Sequence, residues 1–293
     1  MSLRSILVPL SAEIAPEPQL DAALQLARRL EAHINVLFLH ADPADVYAAL
    51  PKAAVAAGVT LEAIEREGEA NAAAARMALG AWRARNGVPP ALTEPVLRST
   101  YAAWSERTGV PETVLARRGR MNDLIVLHFP ESAAPVSERL FDAAVFDTAR
   151  PVLLVPRRLP DDLLRDVVIA WNGSLEAARA VAGAMPLLHA AERVSVFSAP
   201  WHSDAADCDE TMTDDLDLPE ALVWHGVRAR GHLLRPRDAG EGIGAALLRE
   251  AVDHEATMLV MGGFTRSRVR GFLMGGVTRH VLRNPVIPVL MAH

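Results

Sequence analysis

Two glycine pairs near the C-terminus carry the residues best placed to do chemistry. Gly262-Gly263 ends an apolar run, and Gly275-Gly276 precedes Val277-Thr278 and a segment patterned as a helix. Glycine lets the main chain approach a ligand closely, and a helix N-terminus presents unpaired N–H groups that favour an anion. Arg266, Arg268 and Arg270 occupy alternate positions between the pairs. That spacing suits phosphate oxygens, and it suits a salt-bridged surface loop equally well. The pattern reads as a phosphate cradle without Walker chemistry, because Lys52 is the chain's one lysine.

Other chemistry is poorly served. No Ser-His-Asp order, HExxH or GxSxG occurs, so no catalytic residue is assigned. Cys208 stands alone in a strongly acidic stretch, which excludes an internal disulfide and is a poor place to generate a thiolate. His202, His225, His232 and His254 show no metal-binding spacing, and no metal site is predicted. His280 falls one turn after Thr278 and reads as a helix-surface residue. Gly240-Glu241-Gly242-Ile243-Gly244 has the wrong spacing for a dinucleotide fingerprint and reads as a helix N-terminus. Residues 203–220 hold eight acidic residues and no basic one, the composition of a solvated loop.

The elements that must position these residues come in two similar halves. In the first, the strands are expected at 5–11, 34–41, 93–99, 123–129 and 151–156, with helices at 18–33, 60–85, 110–118 and 137–148. In the second, strands are expected at 166–171, 193–199, 227–235, 256–263 and 285–292, with helices at 175–190, 242–254 and 277–283. RPVLLVP in one half answers NPVIPVL in the other. Two such units in 293 residues predict an α/β protein of two tandem, doubly wound, open parallel sheets, with domains at 1–157 and 163–293. Ligands of open parallel sheets bind beyond the carboxyl ends of the strands. The Asn172-Gly173-Ser174 turn and the Met261-Gly262 end of the fourth strand should therefore meet at one edge. The net charge of −6 argues against nucleic acid and anionic membrane as partners. The N-terminus lacks a secretory pattern and no apolar stretch is long enough to span a membrane, so a cytoplasmic location is expected.

The residues LVMGGFTRSRVRGFLMGGVTRHVLRNPVIPVLMAH, with VVIAWNGSLEAARAV before them, resemble the universal stress protein family in its tandem, UspA-like form. The family's nucleotide-binding members carry a glycine, two residues, a glycine, nine residues, then a glycine followed by Ser or Thr. Gly262 and Gly275 match the first and third glycines. Thr265 replaces the second, Gly276 stands at the Ser/Thr position, and Asn172 replaces the first-strand aspartate. Thr278 keeps a hydroxyl two positions on. The first half departs further, reading Leu127-His128-Phe129-Pro130 where the glycine motif would begin and Pro9-Leu10-Ser11 after its first strand.

The resemblance implies an adenine-nucleotide alpha-hydrolase-like fold, with a degenerate first domain. Its closing strands, 151–155 and 285–290, would pair to make an intramolecular pseudo-dimer. It implies ATP or another adenine nucleotide, with or without Mg²⁺, held by Asn172, Gly173, Ser174, Met261, Gly262, Thr265, Arg266, Arg268, Gly275, Gly276, Val277 and Thr278. Turnover would be slow ATP hydrolysis at most. The output would be stress-response regulation or sensing through an unidentified protein partner, with a homodimer of tandem chains as the assembly. The broken motif leaves open a stress-response scaffold that binds no nucleotide.

Overall fold

The computed structural model describes residues 2–11, 16–91, 99–130, 135–198, 217–238, 240–263 and 276–293. The chain forms two compact units, one of residues 3–126 and 132–148, the other of residues 1–2, 127–131 and 149–293.

The first unit runs β1 (Ser5–Leu10), α1 (Glu17–Leu30), β2 (His33–His40), α2 (Pro43–Ala48), α3 (Lys52–Ala56), α4 (Leu61–Asn86), β3 (Ala102–Thr108), α5 (Pro111–Gly119), β4 (Leu124–His128) and α6 (Pro135–Asp147). Its strands are parallel in the order β3-β2-β1-β4. β1 and β4 are buried almost throughout, as strands covered on both faces must be, so they read as continuous apolar runs. Trp82 of α4 is fully buried, and its indole N–H donates to Asp21 Oδ1 of α1 at 2.7 Å, tying the two helices together. Thr60 caps α4 by accepting from the Ala63 N–H at 3.2 Å, and Gly87 ends it at φ +64°.

One strand differs from the sequence expectation. The stretch 93–98 lies outside the described residues, and the third strand is residues 102–108. AAWSERT lies at the end of this strand order and is mostly half-exposed, so its polar residues gave no apolar run to follow. α2 and α3 were not anticipated either. Asp42 caps α2 ahead of Pro43, its Oδ1 accepting from Ala44 at 2.9 Å.

The second unit runs β5 (Val152–Val155), β6 (Asp166–Trp171), α7 (Leu175–Ala190), β7 (Arg193–Ser198), α8 (Asp217–Trp224), β8 (Arg230–Leu233), α9 (Ile243–Asp253), β9 (Met258–Gly262), α10 (Gly276–Arg283) and β10 (Val289–Ala292). The strand order is β5-β10-β9-β6-β7-β8, parallel except where β5 meets β10. There the pairs are Val289↔Leu154, Leu290↔Leu153 and Met291↔Val152, so the two closing strands do pair. β5 belongs by contact to this unit. The tandem α/β class read from the sequence is the fold observed. Its helix α8 begins inside the acidic stretch; residues 203–216 of that stretch, with Cys208, lie outside the described residues.

Gly244 shows how closely α9 and α10 approach. A Cβ there would lie 2.8 Å from the Cβ of His280 and 3.1 Å from the Cα of Val277. The Gly240–Gly244 run is thus a helix start, with Gly242 at the N-cap, and a packing contact one turn in. His280 accordingly packs between the helices. Glu241 precedes α9 and takes both arms of Arg249, at 2.8 and 3.1 Å. This fork, helped by the Arg237 N–H, holds the Glu241 carboxyl down to about 2.

Two outcomes follow for the second unit. Gly244→Ala overpacks a helix crossing and costs about 1–3 kcal/mol, measured by denaturant unfolding. Glu241 is more acidic folded than unfolded, so its contribution is complete above about 4.5 and disappears as pH falls through 2. The melting-temperature difference between wild type and Glu241→Gln should therefore be largest near neutrality and vanish near pH 2.

Candidate functional site

β6 leaves the sheet at Trp171 and turns at once. Asn172 Oδ1 accepts from the Ser174 N–H at 3.2 Å, closing an Asx turn, and Gly173 takes the left-handed conformation at φ +69°. Ser174 then caps α7, its Oγ accepting from the Ala177 N–H at 3.1 Å. The turn and the helix start thus come from one short sequence, Asn-Gly-Ser. The Asn172 carbonyl oxygen is engaged, and its amide nitrogen remains as a donor.

β9 lies beside β6 with Ala170 opposite Met261. That register brings Gly262 onto the first turn of α7. A Cβ on Gly262 would lie 2.5 Å from the Ala177 nitrogen and 2.7 Å from the Glu176 carbonyl carbon. Both are main-chain atoms that cannot step aside. The sequence reading gave this glycine to close ligand approach; the structure shows it meeting the protein's own backbone. Gly263 is tied to the last strand, its N–H donating to the Ala292 carbonyl at 2.9 Å.

The remaining candidates divide. Met261 is buried in β9. Gly276 is exposed, with open space where a Cβ would stand. Val277 is half-buried and Thr278 is 6 % exposed, on a helix seated against α9. Thr265, Arg266, Arg268 and Gly275 lie outside the described residues, as does Arg270. The structure therefore joins Asn172, Gly173 and Ser174 with Met261 and Gly262 in one cluster at the carboxyl ends of β6 and β9.

Glu176 belongs to that cluster and was not singled out from the sequence. It lies in the first turn of α7, is buried, and its Cβ is among the atoms a Gly262 side chain would strike. A carboxylate there stabilises the positive end of the helix dipole, and it competes with any phosphate for the same field. Its position, two residues after a capping serine, was the available signal.

The histidines of this unit lie elsewhere. His232 and His254 pack edge-on at 4.9 Å between ring centres, with Phe197 beside both. Burial first, then the neighbouring His254, push His232 below the ordinary imidazole range. His232 and His254 line a cavity of about 500 Å³ at the amino ends of β6 and β7, away from the Asn172 turn. No group of three metal-ligating side chains occurs among the described residues.

A tandem α/β protein with a glycine-and-cap site at its strand carboxyl ends is the class these features define. Residues 164–293 match the sequence model of the Universal stress protein family. A universal stress protein from Archaeoglobus fulgidus DSM 4304 shares the fold over 98% of this chain and 97% of its own, with a TM-score of 0.68 and 16% identity. A functionally unknown protein from Pseudomonas aeruginosa PAO1 covers 99% of this chain and 92% of its own, at a TM-score of 0.57 and 18% identity. The Archaeoglobus correspondence over the whole length fits the tandem form. No curated protein matches the chain. No helix among the described residues is long and apolar enough to cross a membrane.

Gly262→Ala tests the packing role of this glycine directly. The added methyl should displace the first turn of α7 and cost about 1–3 kcal/mol or more in denaturant unfolding. Amide shifts of Glu176 and Ala177 should report the displacement. An unchanged stability would remove the packing role and return the glycine to a ligand.

Proposed function

We propose that this protein is a stress-response regulator or sensor whose second half binds ATP or a related adenine nucleotide. The observation that carries the reading is the seating of the Asn172-Gly173-Ser174 turn beside Gly262 within a universal stress protein domain. In this reading the N–H groups about Gly275, Gly276 and Val277 receive phosphate oxygens, helped by Arg266 and Arg268. Asn172 meets the base or ribose. Mg²⁺ would accompany the polyphosphate where present. The output passes through a protein partner rather than turnover, in a cytoplasmic protein built as domains 1–157 and 163–293 that pairs as a homodimer.

A second reading has its own support. Gly262 is accounted for by packing, Thr278 is buried, Asn172 already spends its carbonyl oxygen locally, and Glu176 brings negative charge. These features favour a stress-response scaffold that binds no nucleotide.

Mass spectrometry of small molecules released from natively purified protein, with titration of ATP, ADP and AMP, separates the two. The nucleotide reading expects a bound adenine nucleotide. It expects Thr265→Gly to raise affinity about tenfold, or 1.4 kcal/mol, by reopening the backbone approach. Gly275→Glu sets a carboxylate against phosphate and should lower affinity at least about a hundredfold. An empty protein that refuses all three nucleotides, with no gain from Thr265→Gly, establishes the scaffold.

A further inference from the structure

The first unit, which lacks the glycine motif, nevertheless has a cavity of about 920 Å³ where an open parallel sheet places its ligands. It lies at the carboxyl ends of the strands, bounded by Ser11 after β1, His40 in β2 and Thr108 in β3. Phe38, Val46, Ile64 and Leu140 supply apolar wall.

One polar group on this wall is held in a defined state. His40 Nε2 lies 3.0 Å from Glu106 Oε2. Glu106 also accepts from the Trp104 indole N–H at 2.7 Å and from Arg76. With these donors around it, its carboxyl is held down to about 2 and stays ionised. A carboxylate only accepts, so His40 Nε2 carries the proton of this bond, and in the neutral ring Nδ1 carries the lone pair. Phe38 braces the ring edge-on at 4.8 Å between ring centres. Nδ1 has no hydrogen-bond partner among the described residues. It faces Gly68, whose absent Cβ would lie 4.0 Å away. Gly68 is in the interior of α4, where glycine weakens a helix, and neither its backbone conformation nor a close contact demands it. Its effect is to leave the space before Nδ1 open.

The charge around the cavity has one dominant sign. Glu65, Glu67 and Glu69 of α4 line it, and none has a basic partner among the described residues. Glu65 and Glu69 are four apart on the helix, a repulsive spacing for like charges. Against them Arg139 is the single cation among the described residues of the lining, and it is shared with Glu112 at 3.6 Å. A nucleoside polyphosphate would be repelled here.

We infer that this cleft binds a small organic ammonium compound with an aromatic or aliphatic body. The body lies on the apolar wall around Phe38 and Ile64. The ammonium donates a hydrogen bond to His40 Nδ1, and the α4 carboxylates neutralise its charge.

Three probes of one shape and different charge test this on the full-length protein: phenethylammonium, 2-phenylethanol and phenylacetate. Calorimetric titration should show phenethylammonium binding at least about tenfold more tightly than phenylacetate, with an affinity that weakens as salt is added. Nitrogen NMR of the His40 ring should show the Nδ1 resonance moving on titration. Gly68→Leu fills the space before Nδ1 with a better helix former, and should abolish binding while the protein stays folded. Should that variant fail to fold, Glu65→Gln with Glu69→Gln changes only exposed positions and should erase most of the preference for the ammonium probe. No binding by phenethylammonium, phenylacetate binding as tightly, or undiminished binding by folded Gly68→Leu would each overturn the inference.

Discussion

The second unit is organised around one contact between main chains: the end of β9 at Gly262 against the first turn of α7. In a parallel sheet the helix after one strand must pass over its neighbour, and the separation is set by whatever side chains stand between them. With no side chain at Gly262 that separation collapses to backbone contact. The Asn172 turn, the Ser174 cap and the buried Glu176 then take their positions from the helix so placed. Any ligand at this edge meets a rigid assembly whose closest backbone approach is already occupied by the protein.

The same device recurs where small residues replace bulk. Gly244 lets α9 cross α10, Gly183 of α7 lies on Pro151 ahead of β5, and Gly119 of α5 leaves room for Thr148 and Ile125. Aromatic residues are 5% of the chain, so cohesion comes from close approach of Ala, Val and Leu surfaces rather than from large rings. Trp82 is one large ring that is buried, with its N–H bonded to Asp21.

Electrostatics distinguish the two strand edges. In the second unit the edge offers a capped helix start, glycines and, in the sequence between them, arginines. In the first it offers an ionised Glu106 that fixes His40, and carboxylates along α4. Shared architecture therefore does not carry shared ligand chemistry. The fold supplies the location and the side chains decide what is accepted there.

Most of the architecture was legible in the order of apolar runs and helical periods. The limits of α7 coincide with those read from LEAARAVAGAMPLLHA, because a capping serine and an apolar period that continues past Pro186 define that helix locally. β3 was not legible: AAWSERT lies at the edge of its sheet, half-exposed, and carries too little apolar signal. The asparagine, glycine and serine after β6 announced their turn, since Asx turns and N-caps are made by neighbours in sequence. Sequence alone thus determined the class of fold, the tandem and the local turns, all of which depend on residues a few positions apart. What tertiary structure decided was what each glycine and each charge faces. Gly262 faces Ala177, and His40 faces Glu106 on one side and an open cavity on the other. Those facings join residues far apart in the chain, and no local pattern encodes a distance set by the packing of the whole unit.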